Sequence, residues 1–230
     1  MKNPLHLIIQ KGDIHRNFFL QLKDSKRILE IGCGRGGNCS QIHSLFPGIE
    51  IYGVDLIPQS EVPAFVHYTR VDLENGRLPF ENNSFDAVLA IYVLEHIQNA
   101  IKLGTEINRI MKNGGLIFIE VPNWTTMFVP SFGFHRVQHN PFNFFDDPSH
   151  VKIWTKQSLF EFLDQGCCFS TKKIGTNRNW AALFFNFFQI IKGLCTGRRE
   201  RVLLPFWNIF GWNIYAIGSK KVDDPPLNPA

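Results

Sequence analysis

The sequence lacks several features that would mark a secreted or metal-binding protein. The apolar stretch within residues 1–13 is too short for a secretion signal and has no small-residue cleavage site, so we expect a cytoplasmic protein. The five cysteines show no C-x-x-C spacing and no zinc-like interval to a histidine. This pattern argues against a disulfide scaffold and predicts reduced, mostly buried thiols.

An excess of one charge is also missing. The 24 lysine and arginine residues nearly balance the 20 aspartate and glutamate residues, which leaves a net charge of +4. Like charges gather only in 192–201, so we expect no nucleic-acid partner. A chain of 230 residues with 44% hydrophobic content is long enough for one α/β domain with a large core, but not for two.

Short β-branched runs alternate with helical patterns along the chain, and no internal repeat is present. Strands are predicted at 27–31, 49–56, 64–73, 84–94 and 116–122, and helices at 35–46 and 98–112. Strands that alternate with helices indicate a parallel sheet covered on both faces, because parallel neighbours need crossover connections. Ligands of such sheets bind at the carboxyl ends of the strands.

The predicted strand ends carry residues suited to an adenosine cofactor. Gly32, Gly34 and Gly37 have the spacing G-x-G-x-x-G, which lets the backbone approach a ligand and points helix amides at an anion. Asp55 follows the second strand, where a carboxylate accepts hydrogen bonds from both ribose hydroxyls. Asp72 follows the third strand and is placed to accept from an adenine amino group, although it is also suited to cap a loop.

Glu30 distinguishes between two adenosine cofactors. It lies two residues before the first glycine, where its carboxylate would repel the pyrophosphate of NAD. The methionine end of S-adenosylmethionine instead carries an ammonium group, which a carboxylate binds directly or through water. The sequence therefore favours S-adenosylmethionine.

Four motifs occur in order over residues 25–123: LEIGCGRGG, GVDL, VDLENGRLPFENNSFDAVLAIYVLEHI and EINRIMKNGGLIFIEVPN. They resemble the successive motifs of class I S-adenosylmethionine-dependent methyltransferases. Residues 146–170 resemble the substrate-side segment of the branch that contains ubiquinone-type and glycan-associated small-molecule methyltransferases. The usual small-Gly-Phe ending of that segment is replaced by residues 165–169, so we expect a local change beside the sixth strand.

The resemblance implies a Rossmann-like, seven-stranded, mostly parallel sheet with helices on both faces. Its last strand, at 212–220, would run antiparallel, and the cofactor would be S-adenosyl-L-methionine. The implied cofactor-binding residues are Glu30, Gly32, Cys33, Gly34, Asp55, Leu56, Asp72, Leu73 and Ile91.

Two histidines are candidate catalytic residues. By resemblance, His96 lies beside the reactive end of the cofactor, and His150 lies on the substrate side before a predicted helix. Histidine titrates near neutral pH and suits the removal of a proton from a hydroxyl acceptor. The alternatives are a structural His96 at the start of a helix, and a His150 that caps the helix begun at Thr155.

The reaction itself makes few demands on side chains. Methyl transfer from a sulfonium mainly requires alignment of acceptor, methyl and sulfur and the exclusion of water. The end of the fifth strand reads VPNW and lacks the N-P-P-aromatic motif that resembles nucleobase or glutamine methylators. We therefore expect O-methylation of a small molecule or of a glycan or lipid intermediate. The alternative is a non-catalytic partner subunit that retains the fold.

Four segments are predicted to extend the shared core of a single domain spanning 1–230: a helical lead-in at 1–24, a substrate-side insertion at 123–154, an aromatic and basic insertion at 180–211, and a disordered tail at 222–230. The phenylalanines of 180–211 are too few and too interrupted to span a bilayer. They predict an interfacial helix in peripheral contact with anionic lipids, or a helix pair packed on the sheet or a second subunit. The oligomeric state is left open.

One histidine pair has a spacing that would suit a metal ion on a helix. His135 and His139 are four residues apart, but Pro141 and a nearby glycine argue against a helix there. The sequence therefore predicts no metal site.

Overall fold

The computed structural model describes residues 13–75, 77–128, 143–178, 180–197 and 211–222. Its strands form one seven-stranded sheet in the order β3-β2-β1-β4-β5-β7-β6. The strands are β1 (Arg27–Ile31), β2 (Glu50–Asp55), β3 (Val66–Arg70), β4 (Phe85–Ile91), β5 (Met111–Pro122), β6 (Phe169–Asn177) and β7 (Asn213–Lys220). The pairs among β1 to β5 are parallel, and β7 runs antiparallel to both β5 and β6. The predicted fold class is confirmed.

Five α-helices accompany the sheet among the described residues. They are α1 (Ile14–Phe19), α2 (Gly37–Leu45), α3 (Ala100–Ile110), α4 (Lys156–Glu161) and α5 (Trp180–Thr196). Single turns of 3₁₀ or π-helix lie at Leu20–Asp24, Gln59–Glu61, Leu73–Asn75, Trp124–Phe128, Phe144–Asp146 and Phe162–Gly166.

The sheet separates two hydrophobic cores because neighbouring side chains of a strand point to opposite faces. Leu29 and Ile31 of β1 face the core that includes α3 and α4. Ile28 faces the opposite core, which contains Phe18 and Phe19 of the N-terminal helical segment. The described part of the predicted lead-in at 1–24 is thus helical and covers one face of the sheet.

The element boundaries differ from the predictions where local geometry intervenes. The third strand was predicted at 64–73 but ends at Arg70, which places Asp72 in the following turn. The fourth was predicted at 84–94 but ends at Ile91, because Tyr92 has a φ of 57° in the left-handed region. The fifth was predicted to begin at 116, whereas β5 begins at Met111, inside the helix predicted at 98–112.

The unusual ending of the substrate-side segment is accommodated by a change of helix type. Residues Phe162–Gly166 form a π-helical turn, and Cys168 follows with a φ of 57°. Phe169 then enters β6 with its side chain fully buried. All five cysteines are free thiols; three of them are buried, while Cys168 and Cys195 are exposed.

Among the described residues, no helix is both long and apolar enough to cross a membrane. α5 nevertheless exposes large apolar side chains, with Phe187 at 65% and Leu194 at 69% accessibility. Several predictions fall outside the described residues: the His135 and His139 pair, the arginines of 198–201, and nearly all of the tail at 222–230.

Candidate functional site

The loop after β1 is fixed by hydrogen bonds to the end of β2. The backbone N–H groups of Gly32 and Cys33 donate to the carbonyl of Val54 over 2.8 and 3.1 Å. The N–H of Gly34 donates to Oδ2 of Asp55 over 2.8 Å. Gly32 and Gly34 have φ values of 65° and 48°, which side chains other than glycine rarely adopt. The conformation of the loop is therefore fixed by the protein's own hydrogen bonds, without a ligand.

A cavity of about 270 Å³ lies beside this loop at the carboxyl ends of β1, β2 and β4. Its lining includes the predicted residues Gly32, Asp55, Leu56, Asp72, Leu73 and His96. Asp55 is oriented at both oxygens, because its Oδ1 accepts from the N–H of Leu56 over 2.6 Å. The structure therefore brings most of the predicted cofactor residues to one place.

Asp72 caps a turn and also lines the cavity. Its Oδ1 accepts from the N–H of Glu74 over 3.0 Å, and its Oδ2 accepts from Nδ2 of Asn75 over 3.1 Å. These bonds cap the turn that follows β3. The same side chain also lines the cavity, so the cap fixes a carboxylate at the cavity wall.

Four predicted cofactor residues, Glu30, Cys33, Gly34 and Ile91, lie outside the described lining of the cavity. Glu30 is 3% exposed, with its Oε1 accepting from Nδ2 of Asn38 over 2.7 Å and its Oε2 from the thiol of Cys39 over 2.9 Å. Burial raises the pKa of Glu30, although these hydrogen bonds partly offset it. Cys33 and Ile91 are buried in the core shared with α1 and α2. In this arrangement Glu30 supports the glycine loop from beneath.

The two candidate histidines lie together. The ring centroids of His96 and His150 are 4.8 Å apart. Nδ1 of His150 is 2.7 Å from the carbonyl oxygen of Phe144, which only accepts, so this nitrogen carries the proton. Nδ1 of His96 is 2.9 Å from the Ser149 hydroxyl, which itself donates to Asp147 over 2.5 Å. The hydrogen bonds therefore assign the free lone pair of each neutral ring to Nε2.

His150 does not cap the helix that follows it, whereas the ring of His96 joins the turn after β4 to Ser149. Thr155 caps α4 with its own side chain, through a reciprocal bond with Ser158, so His150 is not that cap. His96 lies in the turn before α3, which begins at Ala100 with Asn99 as its cap. Burial, together with the neighbouring His150, lowers the pKa of His96. Its ring is therefore neutral at pH 7.

The sequence did not single out Glu95, which lies beside both histidines. Its side chain is 1% exposed, and neither carboxylate oxygen has a hydrogen-bond partner in the described part of the chain. Burial, reinforced by the charges of Asp147 and Glu120, raises the pKa of the Glu95 carboxyl to about 8. Its position within LEHI was the available signal, but only the fold brings it against His150.

A second polar group at the same sheet edge also escaped the sequence. Glu120 of β5 is fully buried and contacts the imidazole of His15, while its Oε1 accepts from Nδ2 of Asn177 over 2.9 Å. Burial alone would lower the pKa of His15, but the bond and charge of Glu120 outweigh it and raise the pKa. Nearby, the Tyr92 hydroxyl bonds to the Asn213 side chain. These residues are far apart in sequence, so no local sequence pattern predicts their contacts.

Comparison with known proteins shows that this chain is similar to methyltransferases. A family described as a methyltransferase domain matches residues 9–168. A sterol 4-C-methyltransferase of Caenorhabditis elegans is 29% identical over 109 residues, which are 44% of this chain and 32% of that protein. A ubiquinone/menaquinone biosynthesis C-methyltransferase of a Geobacter species is 31% identical over 108 residues, or 43% of this chain and 46% of that protein. The chain thus spans less than half the length of these relatives.

Among solved structures, an S-adenosylmethionine-dependent methyltransferase from Mesorhizobium loti aligns with a TM-score of 0.62. The alignment covers 91% of this chain and 99% of that one at 16% identity, which shows a shared fold. The family match extends over more than half of the chain and includes the glycine loop, the cavity and the His96–His150 pair. The chain therefore belongs to the methyltransferase domain family.

Proposed function

We propose that this chain is an S-adenosylmethionine-dependent methyltransferase that O-methylates a small molecule or a glycan or lipid intermediate. The observation that carries the proposal is the cavity of about 270 Å³ beside the glycine loop. It combines left-handed glycines with two fixed carboxylates and a histidine. Family membership and the shared fold support the same activity.

The residues around the cavity fit the adenosine part of the cofactor. A Cβ added to Gly34 would meet no atom within 4 Å among the described residues, so the loop borders open space. Asp55 would accept from the ribose hydroxyls and Asp72 from the adenine amino group. Leu56 and Leu73 would contact the purine ring. Hydrogen bonds already orient the two carboxylates that would make these polar contacts.

Glu30 has a supporting role in this proposal. It holds Asn38 and Cys39 at the start of α2, and so fixes the loop that the methionine end of the cofactor would contact. An ionised carboxylate beneath that loop would favour the ammonium group over a pyrophosphate. A water-mediated contact with the ammonium fits this position better than a direct one.

A hydroxyl acceptor is favoured by the two histidine Nε2 lone pairs. A hydroxyl must lose its proton as the methyl group arrives, and a neutral imidazole accepts that proton. His96 lines the cavity and His150 lies behind it. The rest of the chemistry would be alignment of the acceptor with the methyl group and exclusion of water.

An amphipathic acceptor at a membrane surface is favoured by α5. Phe187, Ile191 and Leu194 follow helical spacing and are each at least 45% exposed, which places apolar side chains along one side of the helix. Lys192 lies beside them. The two curated relatives carry sterol and ubiquinone/menaquinone in their names, and such compounds are largely apolar. We therefore infer peripheral contact with membranes through this helix.

Calorimetry with the purified chain tests the cofactor proposal. S-adenosylmethionine or its demethylated product should bind, and NAD should not. Asp55→Ala should weaken binding by roughly 1.5–3 kcal/mol, because charge-assisted hydrogen bonds to the ribose are lost. Glu50→Ala is the matched control, since this exposed carboxylate lies at the opposite end of the same strand. Equal affinity for NAD, or equal effects of the two substitutions, would contradict the proposal.

Label transfer from methyl-labelled S-adenosylmethionine then tests the acceptor class. Lipid extracts and water-soluble phenols or glycans are supplied separately, and the product is partitioned between organic and aqueous phases. We expect label in the organic phase, joined to oxygen. Cofactor binding without transfer to any acceptor would instead favour a non-catalytic partner subunit.

A further inference from the structure

The side chain of Glu95, which has no part in the proposed function, lies in one cluster with the two candidate histidines His96 and His150. One ligand atom from each of the three side chains lies within 4.8 Å of the others. Two of them are adjacent in sequence, in the turn after β4, while His150 comes from the segment before α4. Two remote parts of the chain therefore place three metal-binding groups around one point.

The burial of Glu95 requires an explanation. The residue is 1% exposed, and both carboxylate oxygens are inaccessible to solvent. Neither oxygen has a hydrogen-bond donor within the described ranges. An unpaired carboxyl group costs free energy in such a place, and native proteins normally provide a donor or a cation. A ring nitrogen of each histidine lies within 4.8 Å of a Glu95 oxygen without being bonded to it. A bound cation would satisfy all three side chains at once.

The hydrogen bonds made by Nδ1 of the two histidines also favour a bound cation. Metal-binding histidines usually donate the other ring N–H to a carbonyl, carboxylate or water, which orients the ring and fixes the tautomer. His150 donates from Nδ1 to the carbonyl of Phe144, and His96 donates from Nδ1 to Ser149. Ser149 is in turn held by Asp147. Each Nε2 is left available as a ligand.

We propose that Glu95, His96 and His150 bind one divalent cation of the zinc type. Two imidazoles with one carboxylate form a ligand set that zinc accepts when a fourth position stays open. Magnesium and calcium prefer oxygen ligands, so the imidazole pair selects against them. Asp147 is available near the fourth position, since its Oδ2 lies 4.0 Å from Nε2 of His150.

Cation binding requires a small contraction of the cluster. Ligand atoms about 2.1 Å from a tetrahedral zinc ion are separated by roughly 3.4 Å. The present limit of 4.8 Å therefore means that the ligand atoms approach each other by up to about 1.4 Å on binding.

The inference goes beyond the proposed function and is tested without it. His96 also lines the cavity, so the cation would lie at the edge where the acceptor hydroxyl approaches. With the cation bound, the Nε2 lone pairs are occupied, and the acceptor hydroxyl would meet the cation in place of a free imidazole. Metal-bound hydroxyl groups lose protons more readily than free ones.

Metal titration of the full chain is the test. The purified protein is treated with a chelator, dialysed, and titrated with Co²⁺ under a visible spectrometer and with Zn²⁺ in a calorimeter. We expect one equivalent of metal ion to bind per chain, and the cobalt-loaded protein to show the visible absorption of a low-symmetry Co²⁺ site. Glu95→Gln, His96→Ala and His150→Ala should each weaken binding at least about 100-fold, because losing only an outer-shell partner already costs about 10–100-fold. His150→Cys should bind the metal ion more tightly than His150→Ala does, because a thiolate is also a ligand, and should add a thiolate-to-cobalt absorption band.

Two controls separate this cluster from other histidines. His67→Ala removes a ring on β3 that stacks on Tyr52 away from the cluster, and it should bind cobalt like the parent protein. The double change His135→Ala/His139→Ala should also retain binding. Absence of stoichiometric cobalt binding in the parent protein would overturn the proposal, as would loss of binding in the double variant alone.

Cofactor binding measured on the same samples keeps the two proposals distinct. S-adenosylmethionine binding without cobalt binding would overturn the metal site alone. Cobalt binding without S-adenosylmethionine binding would overturn the proposed function alone. Circular dichroism of each variant establishes that the sheet has formed; should Glu95→Gln not fold, the two histidine variants and the cysteine rescue decide the question.

Discussion

Alanine substitutions at three glycines of the first loop should separate backbone strain, steric overlap and helix propensity. Gly32 has a φ of 65°, and a Cβ built there would lie 2.4 Å from Cγ2 of Val93. Gly34 has a φ of 48° with no described atom within 4 Å of its Cβ position. Gly37 begins α2, has an ordinary φ, and likewise has open space around it.

The expected free energies of unfolding follow from these differences. A left-handed alanine costs about 1–2 kcal/mol, so Gly34→Ala should lose that amount. Gly32→Ala adds the overlap with Val93, for which overpacking costs about 1–3 kcal/mol, giving a total loss of roughly 2–5 kcal/mol. Gly37→Ala should gain about 0.4–1 kcal/mol, because alanine restricts the unfolded chain without strain in the helix.

Urea denaturation at pH 7 measures the three free energies, and calorimetry measures S-adenosylmethionine affinity on the same proteins. Gly34→Ala should bind the cofactor more weakly than its stability loss suggests, because its methyl group enters the space beside the loop. Gly37→Ala should bind like the parent protein. A Gly37→Ala loss as large as that of Gly32→Ala would refute the reasoning, since strain and overlap would then not govern this loop.

Three further outcomes are expected. In chelator-treated protein, where the imidazoles are free, His150→Ala should lower turnover about 10²–10⁴-fold, with unchanged cofactor affinity in calorimetry, because the acceptor proton loses its receiver. The raised pKa of His15 beside Glu120 contributes stability that is complete at pH values below the unfolded pKa of histidine and is lost as pH rises through the folded pKa. Urea melts between pH 5.5 and 8.5, about the usual histidine pKa, should show this decline in the parent protein and not in His15→Gln; parallel curves would contradict it. The parent protein should sediment with anionic vesicles at low salt, and Phe187→Ser with Leu194→Ser should abolish this, because each buried apolar side chain contributes about 1.5–3 kcal/mol. Vesicle binding that survives both serines would exclude α5 as the contact.

The parallel part of the sheet could be predicted because its signals are local. Buried β-branched runs ended at Gly32 and Asp55, and both positions proved to lie at the cavity. The early start of β5 at Met111 could not be predicted, because it depends on the pairing of Met111 with Phe85 on the far side of an irregular stretch. Gly114 within that stretch has a φ of 75°, so the local glycine signal and the long-range pairing both hold there.

Part of the candidate site could also be predicted from the sequence, and part could not. Asp72 and His96 follow strands directly, so their position at the cavity edge follows from the topology. The burial of Glu30 away from the lining, and the meeting of Glu95 with His150, depend on side-chain packing between distant segments. A pattern in one sequence carries no record of such contacts.

The position of β7 between β5 and β6 has a consequence for folding during synthesis. β6 pairs with β7 alone among the described strands, and β7 is the last of the strands to leave the ribosome. Until residues 213–220 emerge, β5 presents an open edge and β6 has no neighbour, although the four other strands can already pair. Open edges of this kind invite pairing with other chains. A nascent chain stalled before β7 should therefore recruit chaperones or aggregate, whereas one stalled just beyond it should resist proteolysis.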